Sequence, residues 1–265
     1  LYELGIKYDS EEGLKMAEKI MGFINTESYK MSEELAEVRG TYPAWEGSDH
    51  HKKGRKMRNT CCTTIAPTGT IGMLAEASGG CEPTFAISYI KNVMDGTELI
   101  YTNRIFERIA KERGFYTTKL MRKIAKAGTI QEFKDEIPED IREVFVTAQD
   151  ITPSWHIRMQ AAFQKHVDSS ISKTINFPNS ASIADVEKSY MLAWKLRCKG
   201  ITIYRDGSRD NQVLNIGEVK GKLSETPAAA EHAAMELEKT AKEVPASGAS
   251  CKISVEDGRL VKTCE

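Results

Sequence analysis

The residues whose types and spacing best suit chemistry lie between positions 59 and 85, NTCCTTIAPTGTIGMLAEASGGCEPTF. The run 60–65 is apolar and β-branched, which predicts a buried strand. The sequence PTGT at 67–70 breaks this run, and a turn so rich in Thr and Gly leaves backbone N–H groups unpaired and hydroxyls pointing outward. Phosphate oxygens need several such donors at once and a close approach of the backbone. Standing alone, such a turn is more often a plain connection between two core elements.

Three stretches in fixed order sharpen this interpretation: TIAPTGTI followed by GGCEPTFA, then SISKTINFPNSA at 170–181, then KGITIYRDGSRDNQVL at 199–214. Together they resemble the large catalytic subunit of ribonucleotide reductases. The adenosylcobalamin-dependent (class II) kind is the most similar. Such an enzyme replaces the ribose 2′-hydroxyl with hydrogen through a substrate radical, and so makes deoxyribonucleotides for DNA synthesis.

The resemblance implies a site for the phosphates of a ribonucleoside diphosphate. We expect backbone N–H groups (that of proline excepted) and hydroxyls to hold them, and the residues concerned, here called the phosphate loop, are Pro67, Thr68, Gly69, Thr70 and Ile71. The resemblance further implies adenosylcobalamin as cofactor, a thioredoxin-like protein as reductant and a homodimer when the protein is complete.

Two further residues are expected at the floor of this site. Asn176 belongs to a segment that forms a barrel strand in the family, so Ser172, Lys173 and Asn176 are candidates for substrate or cofactor contact. A purely structural interior strand is the equal alternative. Tyr204 is followed by arginine, whereas reductases that draw their radical from a separate subunit have two adjacent tyrosines there. This departure favours the cobalamin-dependent class over the alternative of a class I large subunit.

The radical half of the site is not expected in this chain. In the family the thiyl cysteine lies upstream of the phosphate loop in an Asn-x-Cys-x-Glu setting, and the sequence contains no such motif. It begins LYELGIKYDS, without an initiator Met. We therefore expect an N-terminal part of the same protein to carry the catalytic residues, and these 265 residues to be inactive alone. A non-catalytic phosphate-binding module is the alternative of a different class.

The cysteines divide into two groups. Cys61 and Cys62 are interpreted as core residues of the predicted strand, and a pattern of six scattered cysteines favours a reducing cytoplasm over a secreted disulfide framework. Cys251 and Cys264 flank an Asp-Gly pair that is typical of a hairpin turn. The resemblance implies that tail cysteines shuttle electrons to the active site. Incidental cysteines on a hairpin, or a zinc-binding remnant lacking ligands, remain the alternatives.

The surrounding elements predict an α/β fold. Helices alternate with short β-branched strands at 173–177 and 201–205, which indicates βα units and a mostly parallel sheet. The resemblance makes residues 1–215 the second half of the reductase ten-stranded α/β barrel. Residues 216–249 shift to Ala, Glu, Lys, Thr and Pro and are predicted to be a linker. Residues 250–265 are the predicted cysteine-bearing hairpin on a flexible C-terminal tail.

Composition and charge limit the classes of binding partner that the sequence predicts. A net charge of −1 gives no electrostatic case for a nucleic acid or a membrane surface. No apolar run approaches the roughly 18 to 20 residues of a membrane span. Adjacent His50 and His51 have no cysteine nearby and only Asp49 as a carboxylate neighbour, so no metal site is predicted and a solvated basic loop is the simpler interpretation.

Overall fold

The computed structural model describes residues 1–75, 77–92, 98–208, 251–256 and 259–264. Its helices are α1 Glu11–Arg39, α2 Asp49–Lys52, α3 Gly69–Ala75, α4 Arg104–Glu112, α5 Thr118–Ala127, α6 Glu139–Val144, α7 Pro153–Gln164 and α8 Ile183–Lys195. Its strands are β1 Ser88–Asn92, β2 Glu98–Thr102, β3 Thr174–Phe177, β4 Thr202–Arg205, β5 Cys251–Glu256 and β6 Arg259–Cys264. The predicted linker 216–249 lies outside the described residues.

The centre of the fold is a parallel pair of strands covered by helices. β3 pairs with β4 in parallel, and α8 connects them, which confirms the predicted βα unit. The buried face of β3 carries Ile175 and Phe177, which pack with Ile157 of α7 and Leu192 of α8. Along β3 buried and half-buried residues alternate, so one face of the strand belongs to this core and the other is left for the site.

The first long helix supports that core from outside. α1 is one continuous helix of 29 residues, and the Oγ of its N-cap, Ser10, accepts a hydrogen bond from Gly13 N at 3.0 Å. Its buried residues, which include Leu14 and Ala17, pack with Met159 and Ala162 of α7. No helix in the part of the chain that the structure describes is long and apolar enough to cross a membrane.

A second core forms between the phosphate loop and α7. β1 and β2 pair antiparallel, and helices α4 and α5 cover a cluster that contains Ile87, Phe106, Ile124 and Phe145. This core positions no predicted site residue, and it forms a stable support beside the cleft described below.

The predicted buried strand at 60–65 is wrong. Ile65 makes one parallel bridge to Ile171, and the carbonyl of Thr63 accepts a hydrogen bond from Ser169 N at 3.1 Å, but residues 60–65 form no continuous strand. Cys61 is exposed and Cys62 is half-buried, so the core interpretation of this pair is also wrong. The physical reason is that the backbone N–H groups of Cys62 and Thr63 bind a side-chain carboxylate instead of a neighbouring strand.

The predicted C-terminal hairpin strands are present. β5 and β6 pair antiparallel from Cys251, which lies opposite Cys264, to Glu256, which lies opposite Arg259. The turn residues between them are outside the described residues. In an antiparallel pair the Cα atoms of directly opposite residues lie about 4.5 to 5.5 Å apart. This spacing falls within the range that a disulfide requires.

Candidate active site

The phosphate loop forms a tight turn at the start of α3. Thr68 has φ +47°, in the left-handed region that a β-branched residue rarely adopts, and its carbonyl accepts a hydrogen bond from Gly72 N at 2.8 Å. This turn leads directly into α3. Because first-turn N–H groups have no acceptor within their own helix, those of Gly69, Thr70 and Ile71 are available to a ligand. Pro67, Thr68 and Gly69 are exposed, as a ligand-binding turn requires.

The expected floor residues lie side by side. Asn176 of β3 and Tyr204 of β4 are direct partners across the parallel pair. Both line the same large cleft as Pro67 and Gly69. The cleft measures about 2790 Å³, well above the roughly 300 to 1000 Å³ of a small-molecule pocket, so it is an open face and not a closed cavity. The structure therefore brings part of the phosphate loop and the floor residues to one surface.

The phosphate loop does not face that cleft along its whole length. Thr68 and Ile71 line a shallow depression of about 370 Å³ beside it, together with Gly72, Ala75 and Gly80. The side chain of Ile71 is 65% exposed. A phosphate group bound to the backbone N–H groups would thus lie at the boundary between the cleft and this depression.

The segment before the phosphate loop is fixed by one carboxylate. Asp168 Oδ2 accepts hydrogen bonds from Cys62 N at 2.7 Å and Thr63 N at 3.2 Å. Its other oxygen, Oδ1, accepts a hydrogen bond from the Tyr29 hydroxyl at 2.8 Å. In return, the Thr63 hydroxyl accepts from Asp168 N at 3.0 Å. Asp168 therefore connects helix α1, the segment leading to the phosphate loop and the turn after α7.

A buried polar chain lies at the start of β3, on the face that packs on the helices. Lys173 Nζ donates to Glu82 Oε2 at 2.9 Å, to Thr174 O at 2.9 Å and to His156 Nδ1 at 2.7 Å. Because an ammonium cannot accept, Nδ1 of His156 is the acceptor, and its Nε2 donates to Ala148 O at 3.0 Å. His156 is thus neutral with the proton on Nε2.

Electrostatics agree with that assignment. Burial lowers the pKa of His156 well below its ordinary value, and the adjacent ammonium of Lys173 lowers it further. Burial also lowers the pKa of Lys173, while the carboxylate of Glu82 opposes the shift. The carboxylate of Glu82 therefore favours the charged form of Lys173, against the effect of burial.

The expectation that Lys173 contacts substrate or cofactor is wrong. Its side chain is fully buried, because residues 173, 175 and 177 share the face of β3 that packs on the helices. Ser172 and Asn176 alternate with these residues along the chain, so they lie on the opposite face, and both line the cleft. Glu82 was not singled out from the sequence, and the alternation of β3 could have indicated that Lys173 needed a buried anionic partner.

Three cysteines, Cys62, Cys81 and Cys198, do not suit thiolate chemistry. Burial raises the pKa of the Cys62 thiol, that of Cys81 to about 12 and that of Cys198 to about 11. Thiols with raised pKa values stay protonated near neutral pH and exchange slowly. Among the described residues no group of three or more His, Cys, Asp or Glu side chains could hold a metal ion.

The fold is that of a known enzyme class. A solved structure, the class Id ribonucleotide reductase alpha subunit of Actinobacillus ureae, superposes with a TM-score of 0.65 at 24% identity. The match covers 78% of this chain and 37% of that one. The family model described as ribonucleotide reductase, barrel domain, matches residues 1–57 and 51–204. The chain therefore belongs to the ribonucleotide reductase family, and the predicted reductase barrel fold is confirmed.

Curated relatives of this chain are also ribonucleotide reductases. The vitamin B12-dependent ribonucleoside-diphosphate reductase of Thermoplasma acidophilum is 47% identical over 225 residues, which is 85% of this chain and 29% of that protein. The reductase of the same name from Mycobacterium tuberculosis is 42% identical over 85% of this chain and 31% of its own length. The chain thus spans about a third or less of the length of these relatives.

Proposed function

We propose that this chain is the phosphate-binding part of an adenosylcobalamin-dependent ribonucleoside-diphosphate reductase. One observation carries the proposal: the phosphate loop and the floor residues Asn176 and Tyr204 reach the same cleft in a chain of this family. The relatives whose names specify vitamin B12 and ribonucleoside diphosphates support the cofactor and the substrate. The catalytic cysteines would come from another part of the same polypeptide, and the complete protein would be a homodimer.

The roles of the residues follow from their geometry. Backbone N–H groups at the start of α3, with the Thr68 hydroxyl and the hydroxyl expected of Thr70, would bind the substrate phosphates and so fix the distance of the ribose from the site floor. Pro67 has no N–H to donate, and it sets the backbone angle that leads into the turn. Asn176 and Tyr204 would close the floor beneath the sugar and limit the access of water.

Adenosylcobalamin fits the open cleft in size, since about 2790 Å³ exceeds what a nucleotide needs alone. When bound, this cofactor supplies a cobalt–carbon bond that breaks to start the radical reaction. Asn176 and Tyr204 face that space and are the residues of this chain that could contact it. Their part in the reaction would be to orient the reacting groups and exclude water.

The C-terminal cysteines are proposed to relay electrons. A dithiol at Cys251 and Cys264 would reduce the active-site disulfide by thiol–disulfide exchange, becoming a disulfide itself while two electrons and two protons pass to the active site. A thioredoxin-like dithiol would then reduce it again. Their opposite positions on β5 and β6 support the formation of such a disulfide.

Replacing Cys251 by serine should separate the two sources of electrons. In the complete protein, turnover supported by a thioredoxin-like reductant should fall roughly tenfold or more, because no tail disulfide can form. Turnover supported by dithiothreitol, which reaches the active site directly, should stay unchanged. The exposed Cys61, replaced by serine, is the matched control and should change neither rate. An equal loss with both reductants would contradict the relay.

The experiment that tests the whole proposal is reduction of CDP by the complete protein, with and without adenosylcobalamin, using dithiothreitol. Turnover only with the cofactor is expected. Turnover that needs a second subunit and no cobalamin would favour the class I alternative, against which the Tyr204-Arg205 sequence argues. Binding of CDP without turnover in any condition would favour a non-catalytic phosphate-binding module.

A further inference from the structure

Four consecutive residues, 171–174, hold the chain on both sides of the phosphate loop. On the upstream side, Ile171 forms the parallel bridge to Ile65, and Ser172 N donates to Ile65 O at 2.9 Å. Ile65 is two residues before Pro67. The start of the phosphate loop is therefore tied to the segment that continues into β3.

On the downstream side, the same segment binds Glu82 by both carboxylate oxygens. Oε1 accepts a hydrogen bond from Thr174 N at 2.5 Å, and Oε2 accepts from Lys173 Nζ at 2.9 Å. The neighbouring carbonyl of Cys81 accepts a hydrogen bond from the Tyr8 hydroxyl at 2.7 Å. Charge-assisted bonds of this kind are the strong ones, so the position of residues 81–82 is well determined.

The ammonium of Lys173 has no donor left for any other partner. Its three N–H groups match three acceptors, Glu82, His156 and Thr174, and its side chain is 0% exposed, whereas that of Glu82 is 28% exposed. Lys173 therefore cannot reach a substrate in the cleft. Its ammonium is paired with the carboxylate of Glu82, and neutral His156 holds it in that orientation.

Glu82 is linked to the phosphate loop through close packing of glycines. A Cβ added to Gly80 would lie 3.0 Å from Ile65 Cγ2 and 3.3 Å from Ala66 O. A Cβ added to Gly72 of α3 would lie 3.4 Å from Ala77 O and 3.6 Å from Gly79 Cα. Residues 77–80 thus lie directly against residues 65–66, which lead into the phosphate loop, and against α3. A displacement of Glu82 would be transmitted to them through these close contacts.

We propose that Lys173 is a positioning residue that sets the place of the phosphate loop through Glu82. The proposal rests on the proposed phosphate-binding function of that loop. With Lys173 in place, residues 171–174 fix both ends of the loop to the segment that continues into β3, and the N–H donors of α3 keep a set distance from Asn176 of that strand. Without it, the downstream end loses its charged anchor and the donors move relative to the floor.

The test compares the binding of CDP and of cytidine to the complete protein by titration calorimetry. Lys173→Met is expected to weaken CDP binding by roughly 10- to 100-fold, the scale of a misplacement of about 1 Å. Cytidine, which lacks phosphate, should bind within about twofold of its affinity for the unchanged protein. Lys165→Met is the matched control, since this exposed lysine of α7 pairs with Glu18 on the outer surface. It should change neither affinity.

A second variant keeps the test possible if Lys173→Met does not fold. Lys173→Met alone leaves Glu82 without its cation, so the double variant Glu82→Gln, Lys173→Met removes both charges together and avoids a partly buried unpaired carboxylate. It should also weaken CDP selectively. If either folded variant loses CDP and cytidine affinity equally, or loses neither, Lys173 does not position the loop. If the unchanged protein itself does not prefer CDP over cytidine, the proposed phosphate-binding function fails, and the positioning role with it.

Discussion

Replacing Gly13 by alanine should destabilise the fold, although the same exchange in an exposed helix normally stabilises by about 1 kcal/mol. The added Cβ would lie 2.6 Å from Lys7 O and 2.7 Å from Tyr8 O. Both contacts are with backbone, which cannot rotate away as a side chain can. The chain entering α1 would have to move, and with it the buried Tyr8 whose hydroxyl anchors Cys81. We expect a net loss of about 3 kcal/mol, typical of strong overpacking.

Gly22 in the same helix is the matched control. A Cβ there would have His166 as its nearest neighbour at 3.4 Å, an ordinary contact with a side chain. Gly22→Ala should therefore stabilise by up to about 1 kcal/mol. Urea denaturation followed by circular dichroism should move the two midpoints in opposite directions. Midpoints that both rise would show that the N-terminal segment accommodates the methyl group and that the close approach at Gly13 has no energetic consequence.

The sequence was sufficient where the pattern is local. In α1 apolar residues recur at helical spacing from Leu14 onward, and α7 begins at Pro153, a proline at the first helical position directly after Thr152. The β-branched runs predicted β3 and β4, and the helix between them predicted their parallel pairing. In each case the information lies within one helical turn or one strand, where periodicity and capping act directly.

The sequence was insufficient to predict the structure where the hydrogen-bond partner of a residue is remote along the chain. The run 60–65 has the composition of a buried strand, yet its N–H groups bind Asp168, a residue more than 100 positions away. Lys173 was expected at the site because its neighbours in the motif suggested it, and its burial depends on Glu82, 91 positions earlier. The composition of a segment indicates how much apolar surface it can bury. Which acceptor its N–H groups bind depends on the tertiary contacts.

Asp168 lies far in sequence from residues 62–63, which lead into the phosphate loop, and its carboxylate holds their backbone in place. Removing this carboxylate should therefore disturb that segment more than any other single change there. Its carboxylate accepts three hydrogen bonds, from Cys62 N, Thr63 N and the Tyr29 hydroxyl. Asp168→Ala would leave these donors without an acceptor. An unsatisfied buried donor costs roughly 1 to 3 kcal/mol, and water can partly replace the acceptor for these half-buried donors, so we expect a loss of about 2 kcal/mol in the free energy of unfolding.

The loss should depend on the acceptor and not on the charge alone. Asp168→Asn keeps one oxygen of the same shape, so it can still accept from the backbone and should cost clearly less than alanine. Asp140→Ala is the surface control, because its carboxylate pairs with Arg113 at 2.9 Å while its side chain is 60% exposed. Water screens an exposed pair of this kind, so Asp140→Ala should change stability little. Urea denaturation of the three variants would rank them. If Asp168→Ala lost no more stability than Asp140→Ala, the segment 62–63 would be held by its bridge at Ile65 and not by the carboxylate.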